Sequence, residues 1–127
     1  MIKIGKVIYN ILSGSTEISN LVDDKIYPIV IPENTSLPTI TYERRLLTET
    51  TKDNNFYTVN FDINVYTDNY KDGIDIADKV DGVLNSFTDE IDDYFIQLIY
   101  NDGIDEMFNS GVYIQKLTYI IKCYKKN

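Results

Sequence analysis

The chain has no histidine, no tryptophan and a single cysteine. Without histidine it loses the usual general base, the commonest metal ligand and the imidazole of a serine or cysteine triad. Cys123, alone, excludes an internal disulfide and, with no histidine beside it, a structural zinc site within one chain. Its place in an apolar stretch makes it a buried structural thiol rather than a reactive one. The glycines form neither a dinucleotide fingerprint nor a phosphate loop followed by lysine. No segment approaches the roughly 20 apolar residues of a membrane-spanning helix. Lys3 and Lys6 interrupt the N-terminal stretch and no small-residue cleavage site follows, so no secretory leader is expected. The chain is expected to be made and kept in a cytoplasm unless it leaves within a larger particle.

What is present suits an ordinary globular protein. With 127 residues, one domain spanning 1–127 is expected, large enough to bury roughly two-thirds of the surface its unfolded chain exposes. Net charge is −8 and uneven: residues 68–106 hold 12 acids against Lys71 and Lys79. Such a surface repels a phosphate backbone and argues against direct nucleic-acid grip. It serves either as a solvated face that keeps the protein soluble or as an acidic wall that DNA passes without sticking.

Two hydrophobic periods organise the chain. Val59, Phe61, Ile63 and Val65 alternate with Thr58, Asn60, Asp62 and Asn64, the signature of a strand buried on one face and wet on the other. Ile4, Val7, Ile8, Ile11 and Leu12 repeat at helical spacing, and so do Ile76, Val80, Val83 and Phe87, with Ala77 and Leu84 widening the second stripe. The first helix should end near Ser13-Gly14-Ser15, and a short second one should cover residues 17–22, capped by Ser15 or Thr16. Ile26-Tyr27-Pro28 begins extended chain. Residues 39–48 read as a strand with Ile40, Tyr42 and Leu46 on one face, and 49–55 as the polar turn of a hairpin. Asp68-Asn69 can cap the helix running to about Phe87. Residues 88–93 read as an acidic connection, 94–100 as a strand, Asn101-Asp102-Gly103 as a turn, and 111–124 as a closing strand whose alternation Ile120 breaks. The expected fold is α+β: an antiparallel sheet of about four to five strands with an N-terminal helix and a second helix packed on one face.

Chemistry is sparse. Asp68, Asp72 and Gly73 start like a calcium loop, but Tyr70 and Lys79 occupy positions where ligands are needed, so capping by Asp68 or Asp72 is the better reading. Asp75, Asp78 and Asp81 face away from the apolar stripe as a wet edge. Asp89, Glu90, Asp92 and Asp93 could chelate a hard cation, but a loop of like charges is usually just solvated. Glu43, Arg44 and Arg45 read as exposed strand charges or an intersubunit pair, with a substrate-carboxylate clamp as the lesser option. Eleven tyrosines supply stiff contact area suited to subunit interfaces, or simply reflect strand preference.

These segments together resemble a known pattern: an amphipathic helix, Lys25-Ile26-Tyr27-Pro28, Leu37-Pro38-Thr39-Ile40-Thr41-Tyr42, the strand Val59-Asn60-Phe61-Asp62-Ile63-Asn64-Val65-Tyr66, and the helix around Ile76-Ala77-Asp78-Lys79-Val80. The chain resembles the tail completion or tail terminator proteins of long-tailed bacteriophages and their prophage relatives, over roughly residues 2–124. The resemblance implies a subunit of a ring, commonly hexameric, that caps the tail tube and joins it to the head connector, leaving a channel through which DNA passes without specific binding. It implies assembly in the bacterial host cytoplasm, residence in the virion, no enzyme activity and no cofactor. Contacts between copies or with adjoining rings are expected at the hairpin tip (Thr48, Glu49, Lys52, Asp53, Asn54) and at the later turn (Asn101, Asp102, Glu106), since polar loops on a rigid sheet are natural contact points. Two alternatives remain open: another virion part, such as a head-closure or tail-tube subunit, and a small cation- or ligand-binding domain.

Overall fold

The computed structural model describes residues 3–51, 56–91 and 93–126. Two short helices come first, α1 (Ile4–Ser13) and α2 (Thr16–Val22). The Ser15 hydroxyl accepts the Ile18 N–H at 3.3 Å, satisfying one of the donors that a helix start leaves open. There follow β1 (Ile26–Pro28), β2 (Thr39–Thr51), β3 (Phe56–Thr67), α3 (Tyr70–Leu84), β4 (Asp89–Ile91), β5 (Tyr94–Asn109) and β6 (Val112–Lys125). Asn69, the second residue of the expected Asp68-Asn69 cap, starts α3 and accepts the Asp72 N–H at 3.2 Å. Asp68 and Asp72 are not the cap, and the helix stops at Leu84, short of Phe87.

The strands form one six-stranded sheet in the order β1-β2-β3-β6-β5-β4. The α+β class holds, but the strand number exceeds four to five and the sheet is mixed. Ile26–Pro28, only extended chain in the sequence, pairs in parallel with Ile40–Tyr42. Asp89–Ile91, inside the expected acidic connection, pairs antiparallel with Tyr94–Ile96. Asn101-Asp102-Gly103 is not a hairpin turn. The ladder slips one residue between Asn101 and Gly103 and then runs on to Asn109, opposite Val112. The hairpin turn is Ser110-Gly111, with φ of 50° and 83°. Positive φ at both central residues is what a type I′ two-residue hairpin loop demands, and glycine meets it without a Cβ clash.

One face of the sheet carries the helices. Ile40, Val59, Phe61, Ile63, Val65, Leu117, Tyr119, Ile121 and Cys123 face them, and Ile4, Val7, Ile8, Leu12, Ile18, Ile76 and Val80 close the core. Burying each such aliphatic side chain is worth about 1.5–3 kcal/mol. At Gly73 α3 comes so close to the sheet that a Cβ would sit 2.9 Å from Thr67 Oγ1.

Leu46 departs from the expected core face. A bulge between Arg44 and Leu46 shifts the register, and a one-residue slip turns every later side chain over. Leu46 therefore opposes Asn60 on the helix-free face and is 53% exposed, while Leu47 packs against the core. Ile120 faces the same helix-free side and is half-buried, which explains the broken alternation in β6.

Candidate functional site

The helix-free face of the sheet holds the most unusual polar arrangement in the molecule. Asp62 sits in the middle of β3 on the side that alternation marks as wet, yet it is fully buried. Its cover is the long side chains of neighbouring strands. Arg45 Nε lies 3.0 Å from Oδ1, Lys116 Nζ lies 3.5 Å from Oδ2, and Thr118 Oγ1 donates to Oδ1 at 3.2 Å. Lys116 makes an ion pair there without hydrogen-bond geometry, so Oδ2 accepts no hydrogen bond. Beside this cluster Lys122 Nζ donates to Thr58 Oγ1 at 3.0 Å. A chain of net charge −8 thus gathers three cations on one side of its sheet.

The acids of residues 68–106 do not form one wall. Asp72, Asp75 and Asp78 are exposed on α3. Asp81, expected on the same wet edge, is instead drawn in: it accepts the Tyr119 hydroxyl at 2.7 Å and the Asn101 amide at 3.4 Å. Burial, and then the bond to Asp81, hold the Tyr119 hydroxyl far above its ordinary pKa, so it stays a neutral donor. Glu106 Oε2 accepts from Gln115 Nε2 at 2.7 Å and Tyr70 Oη at 2.5 Å, and these two bonds lower the carboxyl's pKa. Next to them Phe108 and Tyr70 meet Tyr113 with ring centroids 4.7 and 5.8 Å away. Sequence reasoning did not find this aromatic group, because the expected turn at Asn101 hid the far half of β5.

The sequence-derived contact residues separate into two places. Thr48 is exposed on β2, its hydroxyl donating to Thr58 O at 3.5 Å, and Glu49 pairs through its backbone with Tyr57. Lys52, Asp53 and Asn54 lie outside the described residues. Asn101, Asp102 and Glu106 are on β5, with β3 and β6 between them and β2. Asn101 works within the fold: its N–H donates to Asn85 Oδ1 at 3.0 Å and its own Oδ1 accepts the Gly103 N–H at 2.9 Å, which stabilises the slipped register. Asp102 is the extra, exposed residue of that bulge.

Two depressions flank α3. One, of 590 Å³, lies beside Ser15, Thr16, Gly82 and Val83 and is bridged by the Lys79–Glu17 ion pair at 3.1 Å. The other, of 370 Å³, runs between α3 and β5, lined by Tyr70, Ile74, Ala77, Ile104 and Glu106 among others. The first also brings Asp78 and Asp81 to its wall. Among the described residues no group of three thiol or acidic side chains is placed to hold a metal ion, and no helix is long and apolar enough to cross a membrane.

Cys123 is buried, and burial pushes its thiol up to about 12. A thiol reagent at pH 8 is therefore expected to leave it unlabelled in the native protein and to label it fully in denaturant. Rapid native labelling would contradict its structural role.

A solved chain described as "Virion of native gene transfer agent (GTA) particle" is similar to this one with a TM-score of 0.81 and 14% sequence identity, covering 92% of this chain and 91% of that chain. At that identity the likeness concerns the fold. No protein-family model matches the chain, and no curated protein matches it.

Proposed function

We propose that the chain is a structural subunit of a phage-like virion, acting as a tail terminator: a ring, hexameric by resemblance, that caps the tail tube and joins it to the head connector. The observation that carries this reading is the fold likeness to a virion chain over nearly the full length of both. The resemblance of the segments from α1 through α3 to tail terminators points the same way. The side chains support it too, because these polar groups serve the fold: buried Asp62 neutralises cations, half-buried Asp81 holds Tyr119, and exposed Glu106 gathers Tyr70 and Gln115. In this reading the subunit turns over no substrate and needs no cofactor. It assembles in the host cytoplasm with the tail-tube and head-connector proteins, and DNA crosses the ring without specific binding.

The test is electron microscopy of the purified chain mixed with preformed tail tubes. Density confined to one end of each tube is the expected result. Density along the tubes would make the chain a tube subunit, and association with connector particles alone would make it a head-closure protein. A chain that binds no tube or connector, and whose melting temperature rises in calcium or magnesium, would support the cation-binding alternative.

A further inference from the structure

We propose that neighbouring copies join edge to edge, the free part of β2 in one copy pairing antiparallel with the free part of β5 in the next, with Arg44 beside Glu106 and Leu47 beside Ile104. The proposal rests on the ring reading above and supplies its interface. The strand next to each edge of the sheet, β2 on one side and β5 on the other, is only partly covered. Among the described residues β1 pairs with Ile40–Tyr42 and leaves the rest of β2 without an outer strand neighbour, while β4 pairs with Tyr94–Ile96 and leaves the far half of β5 in the same state. Such uncovered edges present backbone donors and acceptors that accept another strand.

Direction and charge select the partner. The run β2-β3-β6-β5 is antiparallel throughout and has an even number of strands, so β2 and β5 point in opposite directions. Copies in the same orientation, placed side by side, therefore meet in an antiparallel pair, the more stable kind per residue. The free part of β2 carries exposed Arg44 and Arg45, the latter paired with Asp62, alongside Glu43 and Glu49 in the sequence, whereas the free part of β5 carries exposed Asp102, Asp105 and Glu106 and no cation. Joining two β5 edges would set like charges opposite one another, which costs stability. The unlike pairing sets Arg44 against acids, and repetition of such a head-to-tail contact gives a ring where its rotation closes.

The bulge in β2 makes the side chains fit. Arg44 and Leu47 lie on the helix side of the sheet, as do Ile104 and Glu106, while Leu46 and Asp105 share the other side. Leu46 and Ile104, 53% and 51% exposed, would both be covered. The free stretches lie at opposite ends of the sheet, so neighbouring copies are staggered. Strands tilted to the ring axis absorb such a stagger, as in a closed barrel.

The experiment combines charge reversal with cross-linking, read by sedimentation velocity. Arg44→Glu alone and Glu106→Arg alone should each weaken association at least about tenfold, and the double variant should restore it. Circular dichroism controls for folding. Separately, Leu46→Cys with Asp105→Cys places two exposed thiols opposite each other, where antiparallel Cα separations of about 4.5–5.5 Å permit a disulfide. Mild oxidation should give a ladder of covalent multimers that requires both cysteines. A cross-linked pair from either single variant would mean symmetric contacts and overturn the proposal. So would a ring that ignores the charge reversals and forms no ladder, which leaves the terminator reading intact. A chain that stays monomeric alone and on tubes would remove both.

Discussion

Methionine in place of both Arg45 and Lys116 is expected to lower folding stability by about 3–5 kcal/mol, the cost of stranding a buried charge without a partner. Asp62 has no exposed surface, and these two cations make its ion pairs. Either single replacement should cost far less, about 1 kcal/mol, because the remaining cation and Thr118 still face the carboxylate and both cations are partly solvated, with 46% and 35% of their side chains exposed. Replacing Asp62 by leucine in the double variant should recover much of the loss, since an apolar trio of similar volume avoids desolvating charge. Urea unfolding of the series measures all of this. A double variant within about 1 kcal/mol of the parent would mean that water reaches Asp62 once the long side chains are gone.

Phe61→Ala should cost about 3–5 kcal/mol, as large-to-small changes in close-packed cores do. Phe61 is 2% exposed, lies on the helix side of β3 and stacks on Tyr42 with centroids 6.4 Å apart. A ring-sized void there cannot be filled by the flanking strands, which are fixed by ladders on both sides. Leu46→Ala is the informative partner experiment. Strand alternation from Ile40 and Tyr42 would make it a core residue worth about 2–5 kcal/mol, whereas the bulge leaves it outside, so the change should stay within about 0.5 kcal/mol. Thermal and urea unfolding of the two variants therefore report the register of β2 directly. A costly Leu46→Ala in the isolated subunit would contradict the bulge.

The segments that could be read in advance are those in which one local force dominates. The alternation of β3, the apolar stripe of α3 and the starts of both later helices depend on short-range patterning, and apart from Phe87, which lies beyond the end of α3, they stand at the expected residues. What escaped depends on partners distant in sequence. Nothing near Arg44 announces a bulge, because the slip is fixed against Asn60 and Phe61 across the hairpin. Asn101-Asp102-Gly103 has turn composition, but the length of β6 supplies partners beyond it, and the ladder proceeds with one residue looped out. β1 is three residues long, too short to carry a period, so only its pairing with β2 reveals it. Asp62 was placed on the correct side but with the wrong solvation. Alternation assigns a face, and long aliphatic stems from neighbouring strands then cover it. The candidate contact residues are a similar case: polarity singles out Thr48 and Glu106, but only the strand order sets them on strands separated by β3 and β6.

The seam between β3 and β6 has a kinetic meaning. β2–β3 and β5–β6 are each closed by a short connection and can form early, whereas β3 meets β6 only after the chain has traversed α3, β4 and β5. Closing that long loop is entropically late. Until it closes, β3 and β6 also lie open to solvent, and another nascent chain can take the place of the missing half. Refolding at high concentration should then pass through swapped dimers joined along this seam.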